Sequence, residues 1–253
     1  MKRLVLATGV LAVLLALAGF SRAGDDKEVR AIIDKAIQAQ GGEAVLAKFP
    51  ARTMKGTGKF YGLGDPIDFS MELAGFDKKF RFGMEMTVMN FDLKIVVVVN
   101  GAKGWEKVND DVKDMPADEL AEHKEQIHSN AVVSLLPLKK DKDYTLSLIG
   151  DVKVDDQPAV GITVAKKGHR DVRLYFDKAK GHLVKSEFTI KDIKGGGDRE
   201  MIQANFFYDY KEFQGAREPT RMVAERDGKK FIEARMTDIQ LLEKLDDSVF
   251  DRP

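Results

Sequence analysis

Cysteine is absent from all 253 residues, histidine occurs only four times and tryptophan once. Without cysteine there is no disulfide framework, no thiol nucleophile and no lipidation site at the end of a leader. An excess of charge is missing too, with 41 basic against 41 acidic residues. Such a balance gives no general attraction to nucleic acid or to an anionic membrane surface. The motifs G-x-S-x-G and H-E-x-x-H and the Walker glycine-lysine loop do not occur. Gly195-Gly196-Gly197 opens no helical pattern that could cradle a phosphate, and it reads as a hairpin tip. Carboxylates are plentiful in DDQP and LDDSVFD, but acidic turns are ordinary in a β protein, and no acid-base pair stands out. The expectation is a protein that is not an enzyme and holds no cofactor or metal.

What is present begins with an apolar run from Leu4 to Phe20 behind Lys2 and Arg3. Ser21-Arg22-Ala23 then places small residues before a cut after Ala23, so residues 1–23 read as a cleaved secretory signal. The alternative is an uncleaved anchor, for which about 17 residues is the short limit. Removing Lys2, Arg3 and Arg22 leaves 38 basic and 41 acidic residues. Export without cysteine fits a bacterial periplasm, and residues 24–253 suit a single domain with a large core.

The mature chain opens with a helical stripe, Val29, Ile32, Ile33, Ala36 and Ile37, stopped by Gly41-Gly42. A short helical piece from Glu43 to Lys48 follows. Period-two strands come next, near 53–61, 66–74 and 79–88, with Ile67, Phe69, Met71 and Leu73 alternating against Asp68, Ser70 and Glu72. The stretch KIVVVVNGAKGW reads as a hairpin turning over Asn100 to Gly104. Its valines leave no plainly wet side, so both faces need cover. A helix from Pro116 to about Ser134 ends in Leu135-Leu136-Pro137-Leu138. Strands separated by turn residues fill the rest to Leu241. About ten or eleven strands with few helices give a mainly β class, a large curved antiparallel sheet around helices.

His123 and His128 lie five apart and diverge around that helix, which is not a metal-binding spacing. Glu119 and His123 share a face, read as solvated, and His169 and His182 fall at turns as surface residues. The apolar face is more informative. Methionine is flexible and polarizable and fits surfaces that accept varied shapes. Met71, Met84 and Met86 with Phe69 and Phe82 mark either an ordinary core or the lining of a ligand cavity.

Asn100-Gly101-x-x-x-Trp105, Tyr208-x-Tyr210 with Gly215 and Pro219, and Leu245-Asp246-Asp247-Ser248-x-Phe250 resemble the periplasmic lipoprotein carriers of the LolA/LolB-like superfamily. The resemblance covers nearly the whole mature chain. It implies an open half-barrel lidded by helices, with lipid or the acyl chain of a lipoprotein as ligand, and Arg52 or Arg81 as candidates for the family's gating arginine. Relatives also serve as envelope sensors or protein-interaction modules. The expected ligand-binding residues are Phe69, Met71, Phe82, Met84 and Met86, with Trp105 at a rim and Leu135, Leu136 and Leu138 ending a movable lid. A monomeric periplasmic carrier that binds no nucleic acid is expected, its partners a lipid and, as an alternative, envelope proteins.

Overall fold

The computed structural model describes residues 23–193 and 199–253. The expected leader, up to Arg22, and the glycine run at 195–197 lie outside the described residues. Helix α1, Ala23–Ala39, buries Val29, Ile33, Ala36 and Ile37, the stripe its spacing dictates. It stops where the Gly42 N–H reaches back to the Ile37 carbonyl at 2.9 Å. The short α2, Glu43–Lys48, follows.

One antiparallel sheet accounts for nearly everything else. Its strands are β1 Ala51–Phe60, β2 Ile67–Phe76, β3 Lys79–Val88, β4 Phe91–Asn100, β5 Lys103–Val108 and β6 Asp111–Asp114. After α3, Ala117–Val133, and α4, Leu136–Lys140, come β7 Tyr144–Val154, β8 Gln157–Lys166, β9 Val172–Asp177 and β10 Leu183–Lys191. The last three are β11 Glu200–Phe213, β12 Ala216–Arg226 and β13 Lys229–Leu242. The order β6-β5-β4-β3-β2-β1-β13-β12-β11-β10-β9-β8-β7 leaves β6 and β7 as edges, so the sheet is open.

These thirteen strands exceed the expected ten or eleven. Strand β6, with sequence DVKD, carries no apolar alternation and forms as an edge by pairing with β5. The valine hairpin is tighter than its sequence implies. Asn100 pairs with Lys103, so the turn is Gly101-Ala102 alone, and Gly104 lies within β5.

Residues paired across antiparallel strands share a face, so the register sorts every side chain onto one of two sides. On the inner face, α1, α3 and α4 cover β7–β10. There Val29, Ile33, Ile37, Val132, Leu135 and Leu138 pack on Ile162, Val164, Val172, Leu174, Phe176 and Ile190. Val45, Leu46 and Phe49, in and just after α2, lie over Ile239 and Leu241 of β13. On the outer face, Leu245, Val249 and Phe250 of the C-terminal segment cover Ala74, Val96, Val98 and Trp105.

That arrangement explains three of the four buried valines of β4. Val96 and Val98 meet the C-terminal segment. Val99 shares the inner face with Gly104, above which α3 lies so close that an added Cβ would come 2.9 Å from Leu120 Cδ1 and Met115 Sδ. Glycine suits that approach, since a Cβ would displace the ends of the Leu120 and Met115 side chains.

Candidate ligand-binding face

The half of the inner face built by β1–β4 and β13 has a different filling. Phe69 pairs with Met86, Met71 with Met84, and Leu73 with Phe82, which places all six on that face. Phe60, Ile67, Val88, Leu93, Ile232 and Met236 join them, and Phe69, Met71, Met84 and Met86 are each 8 % exposed or less. The floor is made of small residues. Gly58 lies opposite both Phe69 and Ala234, and a Cβ on it would sit 2.7 Å from Phe69 Cζ. The sequence therefore supplies glycine and alanine beneath, and three methionines and a phenylalanine above. The helices pack mainly on the other half, α1 on β7 and α3 on β9 and β10, and α3 reaches this half at β4.

Helix α3 reaches from one half of the sheet to the other. Its start lies over Gly104 of β5. Further along, Glu122 accepts both nitrogens of Arg170, at 2.9 and 2.6 Å, together with the Lys191 N–H at 3.0 Å. Glu125 accepts the Arg170 N–H and faces His169 Nδ1, both at 2.9 Å. The hydrogen bonds to Glu122 hold the Arg170 guanidinium above its ordinary pKa despite burial. His128 stacks on His169 with centroids 3.8 Å apart and on Tyr144 at 5.8 Å. Burial, assisted by the neighbouring His169 and Lys166, pushes the His128 pKa down to about 4, against a smaller opposing effect of Glu125. The imidazole is therefore neutral at pH 7.

These contacts correct the reading of α3 as a helix with a solvated acidic face. Glu122 is 7 % and His128 8 % exposed, and Glu119 and His123 also lie mostly out of solvent, 3.9 Å apart. An acid-rich face docks because the sheet supplies the cations. His182, expected at the surface, is likewise buried and stacks on Tyr210 with centroids 4.4 Å apart.

At its C-terminal end α3 meets a strained joint. The Leu136 N–H donates to the Ser134 carbonyl at 2.8 Å while Leu135 holds φ 65° and ψ −35°, a γ-turn. A leucine in this region costs of order 1–3 kcal/mol and persists only where its surroundings demand it. Here the fully buried Leu135 side chain anchors the joint.

The residues expected to bind ligand fall into three places. Phe69, Met71, Phe82, Met84 and Met86 come together as one cluster. Leu135 and Leu138 pack with α1 on the opposite half, and Leu136 is partly exposed at the start of α4. Trp105 pairs with Val98, on the other side of the sheet from Phe82, and packs against the C-terminal segment. Asn100 Nδ2 donates to the Phe250 carbonyl at 3.3 Å, and Asp246 Oδ1 accepts the Ser248 N–H at 2.9 Å. Two of the sequence motifs, around Trp105 and around Phe250, thus meet as one structural clasp. Of the arginine candidates, Arg52 lies on the inner face 3.4 Å from Glu218, and Arg81 lies on the outer face beside Ala74 and Val98.

Behind the methionine cluster the outer face carries a groove of about 1140 Å³. Thr57, Lys59, Asp68, Ser70, Glu85 and Lys94 line it, and its charges pair with one another, Lys59 with Asp68 at 2.8 Å and Lys94 with Glu85. Among the described residues no group of three or more histidines and carboxylates could hold a metal ion. No helix among them is long and apolar enough to cross a membrane.

No family model matches the chain, and no curated protein matches it in sequence. Solved structures do match. A LolA superfamily protein from Nitrosomonas europaea superposes with a TM-score of 0.53 at 11% identity, covering 88% of this chain and 97% of that one. A putative outer membrane lipoprotein-sorting protein domain from Vibrio parahaemolyticus gives 0.54 at 11%, covering 89% and 97%. A DUF1329 family protein from Desulfovibrio piger gives 0.54 at 14%, covering 88% and 97%. At such identities the likeness is one of fold. The chain has the fold of LolA superfamily proteins, as its motifs imply.

Proposed function

We propose that the chain is an exported, non-catalytic carrier that holds the acyl chain of a lipid or lipoprotein against Phe69, Met71, Phe82, Met84 and Met86. The observation that carries this reading is the composition and position of that cluster. It is methionine-rich, lies on the inner face, and the side chains packed around it come from β1–β4 and β13, whereas helices cover β7–β10. Methionine side chains rearrange at low cost, so a chain can part them and take their place. Each buried methylene contributes about 0.8 kcal/mol, enough for a long chain to offset its own ordering. Helix α3, which reaches that half at β4, is the element that moves as the chain enters, released at the Glu122–Arg170 contact and turning on the γ-turn at Leu135. The fold shared with a lipoprotein-sorting domain supports the same reading. The protein acts as a periplasmic monomer after cleavage at Ala23.

Mass spectrometry of lipids extracted from protein purified from its native envelope, with melting curves in added fatty acid, tests this. Bound acyl lipid and a rise in Tm are expected. Lipid-free protein whose Tm ignores fatty acid would sink the proposal.

A second reading has an observation of its own. Met89 at 88 % exposure, Phe91 at 77 % and Leu63 at 62 % crown the β3–β4 turn and the β1–β2 loop at the end of the methionine face. Apolar tips of this kind suit docking to an envelope protein, with the cluster behind them serving as core. Protein that holds no lipid but captures a partner only while Met89 and Phe91 are intact would favour it.

A further inference from the structure

Between the two apolar fillings of the inner face runs a row of polar side chains. Ser186 of β10 is the cross-strand partner of Asn205 on β11. Gln203, two residues away on the same face, donates from Nε2 to Asn205 Oδ1 at 3.3 Å. Arg226 of β12 pairs with Gln203 in register and donates from Nε to its Oε1 at 3.3 Å. The Ser186 hydroxyl is wholly buried and has no hydrogen-bond partner among the described residues.

Arg226 is a half-buried cation that forms no ion pair among the described residues. Burial lowers its pKa, against the longer-range pull of Asp192 and Glu122. Its guanidinium carbon lies 3.5 Å from the centroid of the Phe231 ring. Phe231 meets Phe60 edge-on at 5.1 Å, and Phe60 packs on the methionine cluster. A cation therefore stands at the end of a continuous aromatic path into that cluster.

We propose that Arg226 is the head-group contact of an anionic amphiphile, a single-chain lipid bearing a carboxylate or phosphate, whose chain lies on the methionine cluster. This rests on the lipid-binding reading above and adds the charge of the ligand to it. Gln203 engages Nε and fixes the plane of the guanidinium, leaving the Nη groups for a two-point contact with an oxyanion. The Phe231 ring covers one guanidinium face and starts the apolar path. Asn205 and the Ser186 hydroxyl continue the polar row for further head-group oxygens. Without a carboxylate partner, a half-buried guanidinium gains more from an incoming anion than an exposed one would.

Titration with oleate and with methyl oleate, both below micelle formation, tests the inference on the intact mature protein. The same chain with and without charge should differ roughly ten- to a hundredfold in Kd, the range of a charge-assisted contact. Arg226→Gln should weaken oleate to the level of the ester, and Arg226→Lys should retain part of the preference. Equal affinity of the wild-type protein for acid and ester would overturn the Arg226 assignment while leaving the lipid reading intact. Inorganic phosphate binding as tightly as oleate, and lost in Arg226→Gln, would make this a free-anion site and also overturn it. Failure of both chains to bind would remove the lipid reading and this inference together. Because the acid-ester comparison uses unaltered protein, a variant that fails to fold does not blunt the test.

Discussion

The two halves of the inner face are made of the same kind of sheet and filled in opposite ways. On β7–β10, Ile162, Val164, Val172, Leu174 and Phe176 meet the aliphatic stripes of α1 and α3. Most of these side chains are branched and each fits its neighbour, so the filling is fixed. On β1–β4, Met71, Met84 and Met86 surround Phe69 and cover one another, with a floor of Gly58 and Ala234 beneath. One half is closed by helices that belong there. The other is closed by side chains that can move, and α3 ties the two together.

Cutting that tie should have the largest effect. Glu122→Ala strands the Arg170 guanidinium, and loss of a buried partner costs about 3–5 kcal/mol. The urea midpoint of unfolding should fall accordingly, with much of the loss recovered in Glu122→Leu/Arg170→Met. A wild-type midpoint in Glu122→Ala would mean that α3 is held by something else.

Acidification loosens the same helix through His128, which stacks on His169. Its folded pKa, about 4, lies below the value of 6.5 for a free imidazole. Below pH 6.5 the unfolded chain takes up the proton first, so stability is complete above that pH and is lost as pH falls toward 4. The loss approaches about 3 kcal/mol over that window. Comparing denaturation of the wild type with His128→Phe, which keeps the stack without the proton, should show the slope in one and a flatter profile in the other.

A smaller change separates the two fillings. Met→Leu at 71, 84 or 86 conserves volume and should cost less than about 1.5 kcal/mol. Leu174→Ala in the fixed half should cost about 3 kcal/mol. The leucine variants should nonetheless bind a narrower range of fatty-acid lengths in a titration series. Unchanged breadth would deny the methionines any special part in binding.

The smallest expected effect is none at all. Trp105 lies across the sheet from Phe82, clasped by Phe250. Saturating fatty acid should leave its emission maximum in place, and a clear shift would move the ligand to the outer face.

Much of this division is legible in the residues. Alternation put Phe69 and Met71 on one side and Asp68 and Ser70 on the other, and helical spacing marked Val29, Ile33 and Ile37. What escaped is whatever depends on long-range docking. The acids of α3 look solvated until the β8–β9 turn brings Arg170 and His169 to them, and the Glu122–Arg170 separation of 48 residues leaves no local trace. Trp105 and Phe250 are conspicuous as motifs, but only the register shows that they face away from the methionines. The polar row of Ser186, Asn205, Gln203 and Arg226 is spread over three strands, each position unremarkable alone. Strand β6 has no apolar pattern because an edge with two open sides needs none.

Photolabelling puts the central claim to the most direct test. A long-chain fatty acid with a diazirine in mid-chain, competed with unlabelled acid, should mark β2, β3 and β13 around Met71, Met84 and Ala234, saturably, and leave β7–β10 unmarked. Saturable labels confined to the outer groove around Lys59 and Lys94 or to the helix-covered half, or labelling that excess acid does not displace, would contradict it.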